Sequence, residues 1–276
     1  MKTREVLDAR ADAVSRMTAF KESLPACTIL EGDCREWLKQ IPDGAIDLVI
    51  TDPPYNMAYQ SNRRQNGRKL PKIHNDNLDK VAWTNLMYQI ARECRRVLRD
   101  DGHAYVFCNA QDQGMMLSIW GGTGPFRCER EIAYVKGVGT GSHNGFRSGW
   151  EKILFLRPLS PALSPTPNPG PSPIGYGGRE RQRLKGHPSD AIWVGRTVKT
   201  HQIYPAQKDL VALAEMIKWS SDEGDVVLDC FAGSGSTGAA ALSEGRKVIL
   251  IESNKAAAEL CRKRMGIYTE NVKFEI

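Results

Sequence analysis

Residues 225–252, DVVLDCFAGSGSTGAAALSEGRKVILIE, decide the fold. Val226–Asp229 is a short apolar run of the kind that forms a buried strand. Gly233, Gly235 and Gly238 then match the pattern GxGxxG. Thr237–Ser243 reads as a helix and Lys247–Ile251 as a second strand, closed by Glu252, 14 residues past Gly238. Glycine permits a tight turn and lets a ligand approach the backbone closely. An acid at the end of the second strand is suited to accept two hydrogen bonds from a ribose diol. A glycine-rich turn alone is often only a tight connection. Strand, turn, helix, strand and acid together make a nucleoside-binding corner at the carboxyl ends of two strands.

The same alternation continues outward. Thr28-Ile29-Leu30 reads as a strand ending at Gly32-Asp33, followed by a helix around Arg35–Gln40. Ile46–Thr51 is a buried strand. Trp83, Leu86, Met87, Ile90, Ala91, Cys94, Val97 and Leu98 recur at helical spacing, and Ala104–Cys108 is the next strand. Residues 112–120 read as a helix, Ile132–Val135 and Lys152–Leu156 as two strands, Gln207–Trp219 and Lys255–Met265 as helices. Residues 1–24 are expected to be a polar, helical lead-in, and 57–75, polar and basic, a mobile loop. Seven of the sixteen residues of Pro158–Pro173 are proline, which excludes a regular core there. Strands alternating with helices on both sides of this interruption imply one α/β unit with a mainly parallel sheet.

Composition narrows the class. The 276 residues are 41% hydrophobic and 25% charged, enough for a sizeable core. The formal charge of +6 leans toward an anionic partner without naming one. The seven cysteines include no CxxC pair, so neither a zinc site nor a disulfide framework reads out. The expectation is reduced, buried thiols in a cytoplasmic protein. The amino terminus lacks an apolar h-region, and no apolar run approaches the ~18 residues of a membrane span.

The segment Thr51-Asp-Pro-Pro-Tyr-Asn56 interrupts a buried strand with two prolines. Proline fixes φ, restricts the residue before it and removes ladder donors. Asp52-Pro53-Pro54-Tyr55 is therefore a stiff projection at a strand end. The Asp52 carboxylate and the Pro53 carbonyl can accept both hydrogens of an aromatic amino group such as adenine N6. Its nitrogen then gains sp³ character and its lone pair can face an electrophilic methyl, while Tyr55 stacks on the base. Such chemistry needs positioning and polarisation but no metal. A bare Pro-Pro pair would read as a rigid turn with an aspartate cap; a strand leading into DPPY, in a chain that also holds the glycine corner, argues against that reading. The glycine pattern cannot separate NAD(P) from S-adenosylmethionine; DPPY favours the latter.

These residues resemble the β group of S-adenosylmethionine-dependent amino DNA methyltransferases, in which the catalytic tetrapeptide precedes the cofactor glycines. The resemblance spans most of residues 28–266, through ILEGDCREWLKQIPDGAIDLVITDPPY, ECRRVLRDDGHAYVFCN, GFRSGWEKILFLR and the glycine block. It implies a circularly permuted Rossmann-like methyltransferase fold. The sheet would be mainly parallel and seven-stranded, with one antiparallel strand and helices on both faces. It implies a catalytic domain over 25–276, with 158–200 as a short Pro-rich and basic target-recognition insertion. Asp52, Pro53, Pro54 and Tyr55 would be catalytic. Asp33, Lys208, Asp229, Phe231, Gly233, Gly235, Ser236, Thr237 and Glu252 would bind S-adenosylmethionine. HQIYPAQKDL is similar to the family's H-P-T-Q-K-P segment but departs from it at Ile203–Ala206 and at Asp209, which replaces a proline.

Double-stranded DNA is the implied partner, and a homodimer is among the assemblies the family admits. Asn62–Lys72 holds five basic residues and no acid, and it directly follows DPPY. Arg63, Arg64, Arg68 and Lys69 are thus expected to meet DNA. Arg179–Lys185, with Arg181 and Arg183, is either a DNA contact or a solvated charged face. The five histidines show no ligand spacing. Aspartate at the first position of the tetrapeptide favours adenine N6, with cytosine N4 as the alternative. A noncatalytic DNA-binding protein of the same fold and an NAD(P) oxidoreductase are the other readings. Intact Asp52 argues against the first, and the want of proton-relay residues against the second.

Overall fold

The computed structural model describes residues 2–57, 64–65, 68–69, 76–109, 111–122, 124–140, 148–159, 192–194 and 207–266. In chain order the elements are α1 (Lys2–Ser23), β1 (Cys27–Glu31), α2 (Cys34–Leu38), β2 (Ile46–Thr51), β3 (Arg64–Gln65), β4 (Arg68–Lys69) and α3 (Lys80–Val97). There follow β5 (Leu98–Cys108), α4 (Gln113–Leu117), a π-helical turn (Ser118–Gly122), β6 (Phe126–Thr140), β7 (Ser148–Pro158) and β8 (Ile192–Val194). The last are α5 (Leu210–Ser220), β9 (Val226–Asp229), α6 (Ser236–Ser243), β10 (Lys247–Glu252) and α7 (Lys255–Arg264).

One sheet has the order β1-β10-β9-β2-β5-β7-β6-β8. β7 runs antiparallel to both its neighbours, and every other pairing in this sheet is parallel. The seven-stranded, circularly permuted Rossmann-like sheet with one reversed strand is therefore present. A three-residue strand, β8, adds an eighth member on the β6 edge. The helix at 80–97 ends four residues earlier than its Asp101-Gly102 signal suggests, because β5 already begins at Leu98, which pairs with Ile46. The 57–75 loop contains a two-stranded ladder, with Arg64 opposite Lys69 and Gln65 opposite Arg68. The intervening Asn66-Gly67 is the preferred dipeptide for a two-residue hairpin, a signal the polar composition obscured.

Alternation sorts the central strands. Ile46 and Val49 of β2, Val226 and Leu228 of β9, and Ile249 and Ile251 of β10 face one hydrophobic layer. Leu48, Ile50, Val227, Val248 and Leu250 face the other. The first layer is covered by α3 and by α1, which contributes Ala13, Met17 and Phe20. The second is covered by α5, α6 and α7. With both faces covered, these strands read as continuous apolar runs.

From β9 the chain passes outward to β10, and from β2 it passes to β5 on the other side, so β9 and β2 flank the switch point of the sheet. In open α/β sheets ligands bind at that point, beyond the strands' carboxyl ends. At the opposite end of β2 the buried Asp47 accepts from Lys21 Nζ at 2.7 Å, Arg99 Nη1 at 2.9 Å and Val226 N at 2.9 Å, tying α1, β5 and β9 together. Among the described residues no helix is long and apolar enough to cross a membrane.

Candidate active site

The glycine corner is built locally. Gly235, the N-cap of α6, has φ +78°, and a Cβ there would lie 2.6 Å from Cys261 Sγ. Both the left-handed backbone and the contact with α7 demand glycine. Gly238 is a packing glycine: a Cβ would meet Leu250 Cδ1 at 2.5 Å. Glu252 Oε2 accepts from Gly233 N at 2.8 Å and Oε1 from Asn254 N at 2.7 Å, so this acid shapes the loop it belongs to. Asp229 Oδ1 accepts from Phe231 N at 3.0 Å and Thr51 Oγ1 at 3.1 Å, and its Oδ2 accepts from Thr237 Oγ1 at 2.7 Å. Burial pushes this carboxyl up to about 6, against the pull of those three donors. Ser236 Oγ is engaged by Arg264 Nη1 at 2.9 Å.

Beside this corner lies a cavity lined by Gly32, Asp33, Cys34, Leu86, Cys230, Phe231 and Ser253. Asp33 caps α2 through Arg35 N at 2.9 Å and is gripped by the Arg35 guanidinium. Gly32 N bonds to Glu252 O at 2.9 Å, which holds the β1 turn against the end of β10.

The DPPY corner, by contrast, is assembled from distant segments. Asp52 follows β2 directly. Tyr55 Oη donates to its Oδ1 at 2.6 Å, and Lys208 Nζ donates to its Oδ2 at 2.5 Å. The same Nζ lies 3.1 Å from Glu151 Oε2 of β7 and 4.8 Å from the centroid of the Phe107 ring. Trp83 Nε1 of α3 donates to the Pro54 carbonyl at 2.8 Å, bracing the stiff turn. Burial drives Lys208 down, but the Asp52 and Glu151 carboxylates outweigh it and hold the ammonium above its ordinary range. Burial raises Asp52; Lys208 opposes that shift and Glu151 adds to it. Burial, then the charges of Asp52 and Glu151, keep Tyr55 firmly protonated.

Beyond the tetrapeptide, Asn56 takes φ +55°, a conformation its short polar side chain tolerates. Its side chain pairs with both backbone groups of Leu78, donating to the carbonyl at 2.9 Å and accepting from the N–H at 2.7 Å. This clamp closes the base of the basic segment. The backbones of Arg64, Arg68 and Lys69 lie in the β3–β4 ladder. Arg63, Arg181, Arg183, the run Arg179–Lys185, the proline-rich stretch from 160 on and His201–Ala206 lie outside the described residues.

The structure thus brings Asp52, Tyr55 and Lys208 into contact and places Asp33, Asp229, Phe231, Gly233, Gly235, Ser236, Thr237 and Glu252 around the adjoining corner. Sequence reasoning alone does not single out Thr51, Trp83 or Glu151. Glu151 carries a signal all the same: it occupies the same strand face as the apolar Ile153 and Phe155, a period-2 position where an acid is out of place.

The arrangement is that of an α/β nucleoside-binding protein, with an acidic hook beside the nucleoside corner at a sheet switch point. The family is narrower. Residues 46–263 match the model of the DNA methylase family (N6_N4_Mtase), and the chain belongs to it. That family comprises DNA methyltransferases of the N6-adenine/N4-cytosine type. The DNA adenine methyltransferase YhdJ of Escherichia coli (strain K12) is 28% identical over 268 residues, 88% of this chain and 83% of its own. Two solved structures share the fold. The M1.HpyAVI–SAM complex has a TM-score of 0.60 at 20% identity, covering 87% of this chain and 100% of that one. The PvuII DNA methyltransferase (cytosine-N4-specific) has a TM-score of 0.61 at 17% identity, over 92% of this chain and 90% of that one.

Proposed function

We propose that the protein transfers a methyl group from S-adenosylmethionine to the exocyclic N6 of a flipped adenine in double-stranded DNA. One observation carries this reading. Asp52 follows β2 and the glycine corner follows its neighbour β9 at the switch point of the sheet, and the Thr51–Asp229 hydrogen bond bridges the two.

The residues fit the cofactor. Glu252 would hold the ribose, and Gly233 and Gly235 would let the chain pass close to it. The cavity between Asp33 and Phe231 would take the adenine. Asp229, Ser236 and Thr237 would keep the loop in shape. Bound there, S-adenosylmethionine supplies an electrophilic methyl on a sulfonium. The Asp52 carboxylate and the Pro53 carbonyl would accept the amino hydrogens of the target base, and Tyr55 would face its ring. Lys208 would steady Asp52. Extruding the base costs a few kcal/mol, offset by stacking and edge contacts. The basic residues Arg63, Arg64, Arg68 and Lys69 would meet phosphates at the crevice mouth. The domain over 25–276 would be catalytic, with 158–200, including Arg181 and Arg183, as its target-recognition insertion.

Adenine is favoured by the aspartate that opens the tetrapeptide and by the adenine-methylating relative of 28% identity. Modification-sensitive sequencing of DNA from cells expressing the protein tests the reading. N6-methyladenine at a defined sequence supports it, N4-methylcytosine reassigns the base, and the absence of any mark overturns it. Asp52→Ala should abolish the mark while S-adenosylhomocysteine still raises its melting temperature.

A further inference from the structure

The prolines of the tetrapeptide stiffen it unevenly. Three peptide planes join Asp52 to Tyr55. The first two each lead into a proline. The rings fix φ of Pro53 and Pro54, and each proline also restricts ψ of the residue before it. The third plane, between Pro54 and Tyr55, turns on ψ of Pro54 and φ of Tyr55, and neither ring constrains those two torsions. The carbonyl of this third plane is the one that accepts from Trp83 Nε1, at 2.8 Å. The bond falls on the joint that the sequence leaves soft. Trp83 is 1% exposed and Pro54 is buried, so turning the joint would strand a donor and an acceptor away from water. Past the joint, Tyr55 Oη reaches back to Asp52 Oδ1 at 2.6 Å. A rotation of the third plane would carry the phenol away from the carboxylate it steadies.

Trp83 also relates the tetrapeptide to the cofactor corner. Leu86, three residues on and on the same side of α3, lines the cavity beside Asp33 and Phe231. Farther along this helix Cys94 Sγ lies 3.6 Å from Cys230 Sγ, and Cys230 lines the same cavity. One helix thus holds the DPPY turn at its first turn and meets the cofactor corner at later ones. Its start is anchored in its own right: Lys80 pairs with Asp112, and its Nζ lies 5.2 Å from the centroid of the Trp83 ring.

We propose that Trp83 is a positioning residue for methyl transfer: its indole N–H pins the joint between Pro54 and Tyr55 and, through α3, sets the tetrapeptide at a fixed distance from the cofactor corner. This rests on the methyl-transfer reading given above. Trp83 acts through the Pro54 carbonyl and is not a catalytic residue. Transfer between a bound amine and a bound methyl requires the two to be held in a near-attack arrangement, and a misplacement of about 1 Å can cost about a hundredfold in rate. Removing the N–H alone should therefore slow transfer and leave the cofactor cavity, which Trp83 does not line, as it is.

The test changes the indole nitrogen and nothing else. Trp83→benzothienylalanine in the full-length protein keeps the fused ring and puts sulfur in place of the N–H. Single-turnover methylation is followed on DNA carrying the sequence that the wild type marks in cells, and S-adenosylhomocysteine affinity is measured by calorimetry. The transfer rate should fall about tenfold to a hundredfold with the affinity unchanged. Trp83→fluorotryptophan, which retains the N–H, should keep the wild-type rate. A wild-type rate in the benzothienylalanine variant overturns the proposal. So does a loss of S-adenosylhomocysteine affinity as large as the loss of rate, which is what a merely structural role produces. Should that variant not fold, Trp83→Phe is judged by the same two measurements. If the wild type marks no DNA, the methyl-transfer reading itself falls and takes this inference with it, an outcome distinct from an unchanged rate.

Discussion

The two ends of β2 hold buried acids with different sets of partners. Asp47, at the amino end, meets two cations, Lys21 and Arg99, and a backbone donor, and Arg99 also pairs with Asp101. Asp52, at the carboxyl end, shares the cation it meets among the described residues, Lys208, with a second carboxylate. The first arrangement satisfies the acid fully and ties three elements together, which is what a structural charge requires. The second joins two carboxylates through one ammonium where β2 runs into the DPPY turn. Ionisable groups perturbed by burial and by one another gather at functional sites. The partners of a buried acid, more than its burial, thus distinguish scaffold from site.

The largest effect should separate the two acids. Asp47→Ala takes the acceptor from Lys21 and the Val226 N–H, while Arg99 keeps Asp101, and should cost about 3 kcal/mol in denaturant unfolding. Asp52→Ala leaves Lys208 its contact with Glu151 and should destabilise less than Asp47→Ala while abolishing methylation. Equal destabilisation by both would erase the contrast.

Asp229 refines it next. Its folded value of about 6 lies above the ordinary 3.8, so its stabilising contribution is present below the unfolded value and is lost as pH rises through about 6. The loss is on the order of 3 kcal/mol. Asp229→Asn removes this titration, so its stability relative to wild type should rise between about pH 4 and about pH 7.5. A pH-independent difference in unfolding free energy would contradict the assignment.

Gly235→Ala combines a strained φ with a contact at 2.6 Å, and should cost about 2 kcal/mol in thermal or denaturant unfolding. Gly224→Ala, at φ +82° with open space around it, should cost about half as much. The smallest expected change is at the mouth. Replacing Arg63, Arg64, Arg68 and Lys69 with glutamine should weaken DNA binding and flatten its salt dependence, by about 0.9 in the logarithmic slope for each phosphate left without a cation. An unchanged slope would remove that segment from the DNA interface.

Residue order was sufficient for the local parts of the molecule. Alternating apolar runs and helical spacings were enough for β2, β9, β10, α3 and α7, because the period of burial follows from backbone geometry. The glycine corner was legible for the same reason: Gly233, Gly235, Asp229 and Glu252 lie within one strand–helix–strand unit, and their hydrogen bonds close over short chain distances. DPPY was legible as a stiff acidic projection because proline acts on its immediate neighbours. What the acid meets is set by the packing of whole elements. Glu151, Lys208 and Trp83 come from three different segments, and only the pairing of β7 with β5 and the seating of α5 and α3 on opposite faces bring them to Asp52. Local propensity records the path of the backbone. The sign and number of charges in a pocket depend on contacts between residues up to 156 positions apart, which only the folded chain brings together.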